Sequence, residues 1–200
     1  MDVTGVTPGS EVSSSLSLVT GRGASGALGA FFAEALDAEA FSFDYAALQA
    51  LPDGTAYRVS AASFAEDAQG QRLSTSLERT FAAPGDLTLS LPETLGAAEL
   101  GSDGGRPFLV WDTYREGADY TLVFESSDDD AGETRYLVTL DAAWLPAGAS
   151  RYTLPDLSDL PGWDDAWELR ADLFWSLSAR AERENEVVTA SRSSALPEAD

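Results

Sequence analysis

The sequence predicts an all-β fold built as two antiparallel β-sandwiches in tandem, and three observations predict it. Apolar residues recur at every second position in short stretches, the period of strands with one buried face. Clusters of Gly, Pro and Asp separate these stretches every 8 to 12 residues or so, the punctuation of an all-β sandwich. A motif of the first half also returns in the second at a near-constant offset, as a duplicated unit would.

Taken in chain order, "FSFDY" places Phe41, Phe43 and Tyr45 on one face, and "AYRVSAA" does the same for Tyr57, Val59 and Ala61. "DLTLSLP" alternates Leu87, Leu89 and Leu91; "DYTLVF" alternates Tyr120, Leu122 and Phe124; "RYLVTL" alternates Tyr136, Val138 and Leu140. The longest run is "WELRADLFWSLSARAE", apolar at each odd position from Trp167 to Ala181 with Phe174 as the single apolar intruder. It predicts one long strand from Trp167 onward. A helix fits worse, because Leu169, Leu173, Trp175 and Leu177 would then be spread around the cylinder. After Val188 the pattern is lost, and a frayed C-terminal tail is expected.

The echo joins "LPDGTAYRVSAASF" (Leu51 to Phe64) to "LPGWDDAWELRADLF" (Leu160 to Phe174). Tyr57 and Trp167, and Phe64 and Phe174, share an offset of 110 residues. This divides the chain into residues 1–95 and 96–200, the second unit a duplicate of the first, with the boundary between Leu91 and Pro107.

Composition narrows the chemistry. The 200 residues are 44% hydrophobic, enough for a sizeable core, and carry 12 basic against 34 acidic side chains, a net charge of −22. Every basic residue is Arg. A nucleic-acid partner is excluded, since phosphate binding needs a basic surface. With neither Cys nor His, the chain lacks thiol and imidazole nucleophiles, disulfides, and the usual Zn, Cu, haem and iron–sulfur ligands. Carboxylates, hydroxyls, Arg and oxygen-ligand metals remain. No apolar stretch reaches the 18 or so residues of a transmembrane helix, and the first ten residues lack the features of a signal peptide.

Two acidic loops and one tryptophan are the candidate sites. "SSDDDAGE" offers Asp128, Asp130 and Glu133 as oxygen ligands for Ca²⁺, although its Gly comes too early for an EF-hand. Lying between "DYTLVF" and "RYLVTL", it also reads as the solvated tip of a hairpin. "DLSDLPGWDDAW" supplies Asp156, Asp159, Asp164 and Asp165 around Trp163. Trp111, Trp167 and Trp175 fall in alternating strands and are assigned to the core. Trp163 follows Pro161-Gly162 in a turn, which suits either a sugar-stacking platform with Asp164 and Asp165 or a lid over the end of a sandwich.

"GGRPFLVWDTYREGADYTLVFES" resembles the B and C strands of a fibronectin type III-like, immunoglobulin-like domain. "FSFDYAALQALPDGTAYRVSAASF" is similar to the Leu-Pro-x-Gly turn and following strand of transthyretin-like or carboxypeptidase regulatory-like domains, and of bacterial surface lipoproteins. These resemblances cover about half of the chain and imply an extracytoplasmic β-sandwich, secreted or in the cell envelope, with any signal or lipobox removed. They transfer no catalytic residue. The expected function is therefore non-catalytic, a surface or lipoprotein module serving as scaffold, spacer or interaction domain with a protein or envelope-polymer partner. The alternatives are a carbohydrate-binding module led by Trp163 and a calcium-stabilised adhesion module; a carboxylate-based enzyme requires a cleft in which acids converge.

Overall fold

In a computed structural model the chain is all-β, with fourteen strands and no helix among the described residues. The structure describes residues 1–45, 48, 51, 53–83, 85–112, 114, 118–128, 132–143, 150–164, 168, 169 and 173–194. None of these residues belongs to a helix long and apolar enough to cross a membrane. The chain divides into two compact units, Met1–Thr94 with Arg180–Ala190 and Leu95–Ala179 with Ser191–Asp200.

The first unit begins with β1 (Asp2–Thr4), β2 (Ser10–Thr20), β3 (Ser25–Leu36), β4 (Ala40–Ser42), β5 (Thr55–Glu66), β6 (Arg72–Phe81) and β7 (Thr88–Ser90). Strands β4, β1 and β7 form a small sheet in that order, with β1 antiparallel to β4 and parallel to β7. A larger sheet runs β6-β5-β2-β3. Both sheets feed one core, in which Val3, Phe41 and Leu89 from the small sheet meet Val12, Leu16, Tyr57, Val59 and Leu77 from the large one. Burying each such side chain is worth about 1.5–3 kcal/mol. Phe31 stacks on Phe41 at 4.4 Å and Tyr57 on Phe81 at 5.2 Å.

Strands β2 and β3 carry a weak sequence signal. In β2 the buried positions are Ser10, Val12, Ser14 and Leu16, so the alternation is one of burial more than of polarity. Buried Ser10 and Ser63 satisfy each other through a 2.8 Å hydroxyl–hydroxyl hydrogen bond, and Ser14 donates to the Ser60 carbonyl at 3.0 Å.

The second unit contains β8 (Ala98–Asp103), β9 (Arg106–Trp111), β10 (Asp119–Asp128), β11 (Gly132–Leu140) and β12 (Arg151–Thr153). The last strands among the described residues are the hairpin of β13 (Leu173–Arg183) and β14 (Glu186–Ser193), whose residues 180–190 group with the first unit. Strands β12, β9 and β8 form one sheet, and β11-β10-β13-β14 run in order within the eight-stranded sheet that also contains β6-β5-β2-β3. The β8–β9 turn is Gly104-Gly105 with φ of 60° and 84°, the pair of positive values that a two-residue type I′ hairpin needs. Buried residues include Leu109, Trp111, Tyr120, Leu122, Phe124, Trp175 and Leu177, so Trp111 and Trp175 are core as expected. Trp167 lies outside the described residues.

Each unit buries a tyrosine whose hydroxyl ties down the preceding loop. Tyr57 accepts the Leu48 amide at 3.1 Å and donates to the Leu48 carbonyl at 3.3 Å; Tyr120 accepts the Tyr114 amide at 3.1 Å.

Two expectations are corrected. Of the strand anticipated from Trp167, the described residues show Leu173–Arg183, while Glu168 lies in a bend and Leu169 in irregular chain. Leu169 is half-buried in a pocket wall, so its apolar character is satisfied without a strand. At the other end, residues 189–194 do not fray, because β14 continues to Ser193 with Ala190 fully buried, and the Ser194 amide donates to the Trp175 carbonyl at 3.0 Å; residues 195–200 lie outside the described residues. Small residues there hid a strand whose hold is mostly backbone pairing.

Candidate functional site

The site grows from the chain that follows β12. This strand pairs with β9, and the Leu154 amide donates to the Pro107 carbonyl at 2.9 Å, which fixes where the loop leaves the sheet. Asp156 then shapes the loop, its Oδ1 accepting the Ser158 hydroxyl at 2.7 Å and the Ser158 amide at 3.0 Å, an Asx turn. These two bonds, with a smaller contribution from the charge of Arg106, hold the Asp156 carboxyl below the usual carboxylate range.

Two turns follow in succession. The Leu160 amide donates to the Leu157 carbonyl at 3.0 Å, and the Trp163 amide to the Leu160 carbonyl at 3.0 Å. In the second, Pro161 stands at position i+1 and Gly162, with φ of 87°, at i+2, which is the residue chemistry of a type II turn. The "LPGW" segment is thus a hydrogen-bonded turn that presents one indole.

Trp163 is half-buried and forms part of the wall of two pockets, of about 340 Å³ and 560 Å³, both inside the second unit. Tyr136 and Leu157 also line both. Volumes of about 300–1,000 Å³ are usual for small-ligand sites. The smaller pocket adds Arg106, Asp156 and Glu168; the larger adds Glu133, Arg135 and Leu160. Tyr136 sits on β11 opposite fully buried Phe124. Burial raises its phenol pKa above the ordinary value, and the carboxylate of Glu168 raises it further. Two aromatic side chains with carboxylates, a hydroxyl and guanidinium groups at the rim can stack on the apolar face of a sugar and hydrogen-bond its hydroxyls.

The sequence candidates divide as follows. Trp163 is central to the site, whereas Asp164 is exposed and lines neither pocket, and Asp165 lies outside the described residues. Of the calcium set, Glu133 lines the larger pocket beside Trp163; the side chain of Asp128 and the whole of Asp130 lie outside the described residues. The loop that carries them joins β10 to β11, with Asp128 paired to Gly132, so the segment is a hairpin connection. Among the described residues no group of three or more carboxylates is placed to hold a metal ion.

Tyr136, Leu157 and Glu168 are site residues that sequence reasoning missed. Tyr136 has a sequence signal only as a strand residue, and nothing local links it to Trp163. A third pocket of about 520 Å³, in the first unit, is lined by Glu78, Glu182, Glu184 and Glu186 and has no aromatic ring in its described lining. No protein-family model matches the chain, and no curated protein matches it in sequence.

Proposed function

We propose that this protein is a non-catalytic, extracytoplasmic binding module of two immunoglobulin- or fibronectin type III-like units, and that its second unit holds a carbohydrate or envelope polymer on Trp163. The observation that carries the reading is that Trp163, fixed by the Pro161-Gly162 turn, and Tyr136 together line two adjoining pockets with polar rims. A sugar chain suits adjoining pockets that share aromatic walls, because successive rings can use the same platform. The finer fold assignment is supported by the small three-stranded sheet of each unit and by the loop-anchoring hydroxyls of Tyr57 and Tyr120. The extracytoplasmic placement rests on the resemblance of the strands around Trp111 and Tyr57 to surface modules.

Affinity electrophoresis through gels containing soluble polysaccharides tests the function. At least one neutral polysaccharide should retard the protein, and Trp163→Ala should weaken that interaction about tenfold or more, equivalent to about 1.4 kcal/mol. Circular dichroism checks that the variant is folded, since Trp163 is half-buried. Retardation that is equal for both proteins, or absent with every polysaccharide, would remove this reading.

A further inference from the structure

Charge around Trp163 bears on which sugars the site takes. Among the described lining residues, the smaller pocket carries Asp156 and Glu168 with Arg106, and the larger carries Glu133 with Arg135, whose guanidinium already pairs with Glu125 at 3.6 Å. The Ser158 hydrogen bonds keep Asp156 ionised. These groups sit in the field of a chain with net charge −22, which attracts cations and repels anions over a Debye length of about 8–10 Å.

The rings add to the same preference. An ammonium over the face of an indole or phenol is attracted by the ring quadrupole, and a carboxylate on the same face is not. A uronate or phosphate would meet carboxylates in both pockets. A protonated amine would meet two aromatic walls with a carboxylate beside each: Glu168 in the smaller pocket and Glu133 in the larger.

We infer that the Trp163 site, read as a sugar site as proposed above, selects amino sugars in their protonated form, with the sugar ring on Trp163 and the ammonium toward Glu133 or Glu168. The ligand class is a polyol bearing a free amine, as opposed to an acetylated or acidic sugar.

Calorimetric titration with a β-1,4-linked glucosamine hexamer and its fully N-acetylated counterpart tests this, since the two differ only in the charge and bulk at nitrogen. At about pH 5.5, roughly two units below the pKa of an ordinary α-amino group, the amine form should bind about tenfold tighter at low salt. The advantage should shrink as salt is raised. It should also be lost in the double variant Glu133→Gln, Glu168→Gln, in which the affinities for the two hexamers should become equal. Both positions are exposed, so the fold should survive, and far-ultraviolet circular dichroism checks that.

Equal affinity for the two hexamers, or tighter binding of the acetylated one, overturns the inference while leaving Trp163-dependent sugar binding in place. An amine advantage that persists undiminished in the double variant or in Trp163→Ala also overturns it, because the attraction then belongs to the general surface charge. If neither hexamer nor any neutral polysaccharide binds, the sugar reading falls with it.

Discussion

Hydroxyls placed inside the first unit are the residue-scale feature with the clearest energetic consequence. Ser10 and Ser63 are 1% and 4% exposed, and their 2.8 Å hydrogen bond lets two polar groups enter a core built mainly from Val, Leu and aromatic side chains. Removing one partner strands the other, at a cost of about 1–3 kcal/mol, whereas removing both leaves no orphan. The double variant Ser10→Ala, Ser63→Ala should therefore destabilise the protein by less than the sum of the two single substitutions. In a denaturant double-mutant cycle the coupling should exceed about 0.5 kcal/mol, and strict additivity would show that the pair does not act as a unit. At the candidate site the residue-scale logic differs, because Trp163 owes its position to its neighbours. "LPGW" was legible as a turn from Pro161 and Gly162 alone. Tyr136 and Glu168 were not, since only the tertiary fold brings β11 and the bend at Glu168 to the indole.

At the scale of elements, β1 shows how a three-residue strand can be held. Its parallel pairing with β7 continues through the Leu91 amide, which donates to the Thr4 carbonyl at 2.9 Å, and Gly5 then turns the chain away with φ of 77°. A Cβ at Gly5 would lie 2.8 Å from the Leu91 carbonyl oxygen, so Gly5→Ala meets both a left-handed backbone and a clash. We expect a loss of about 1–3 kcal/mol, read as a lower denaturant midpoint with an unchanged slope; a neutral substitution would mean that β1 is not held as described. The same scale explains what the sequence disclosed. Strands β5, β10 and β11 alternate strong apolar residues with polar ones and were readable. Strands β2 and β3 use Ser, Gly and Ala at positions where alternation is normally seen, so their period is written in burial and not in residue type. The run from Trp167 has the alternation of a strand, yet Leu169 finds its apolar surroundings in a pocket wall. Phe64 lies near the end of β5 and Phe174 near the start of β13, so the echoed motif occupies different places in the two elements.

For the whole molecule the dominant quantity is the charge of −22. Mutual repulsion of so many carboxylates destabilises the compact state and is relieved by screening. Thermal unfolding after chelation should therefore shift upward with millimolar Mg²⁺ and by a similar amount with Ca²⁺. A saturating specific ligand at 100 times its dissociation constant would add about 2.7 kcal/mol, a shift of several degrees. A rise confined to Ca²⁺ would contradict simple screening and return attention to Asp128, Asp130 and Glu133. The central claim, that sugar binding is localised at the shared aromatic wall of the second unit, is tested most directly by amide chemical-shift mapping of the ¹⁵N-labelled protein during titration with the N-acetylated glucosamine hexamer. The account predicts that the amides of Thr134, Tyr136, Ser158, Gly162 and Trp163 move together and saturate, while those of Ala61, Leu77 and Glu184 in the first unit stay in place. Saturable shifts centred in the first unit, or none at any hexamer concentration reached, would contradict it.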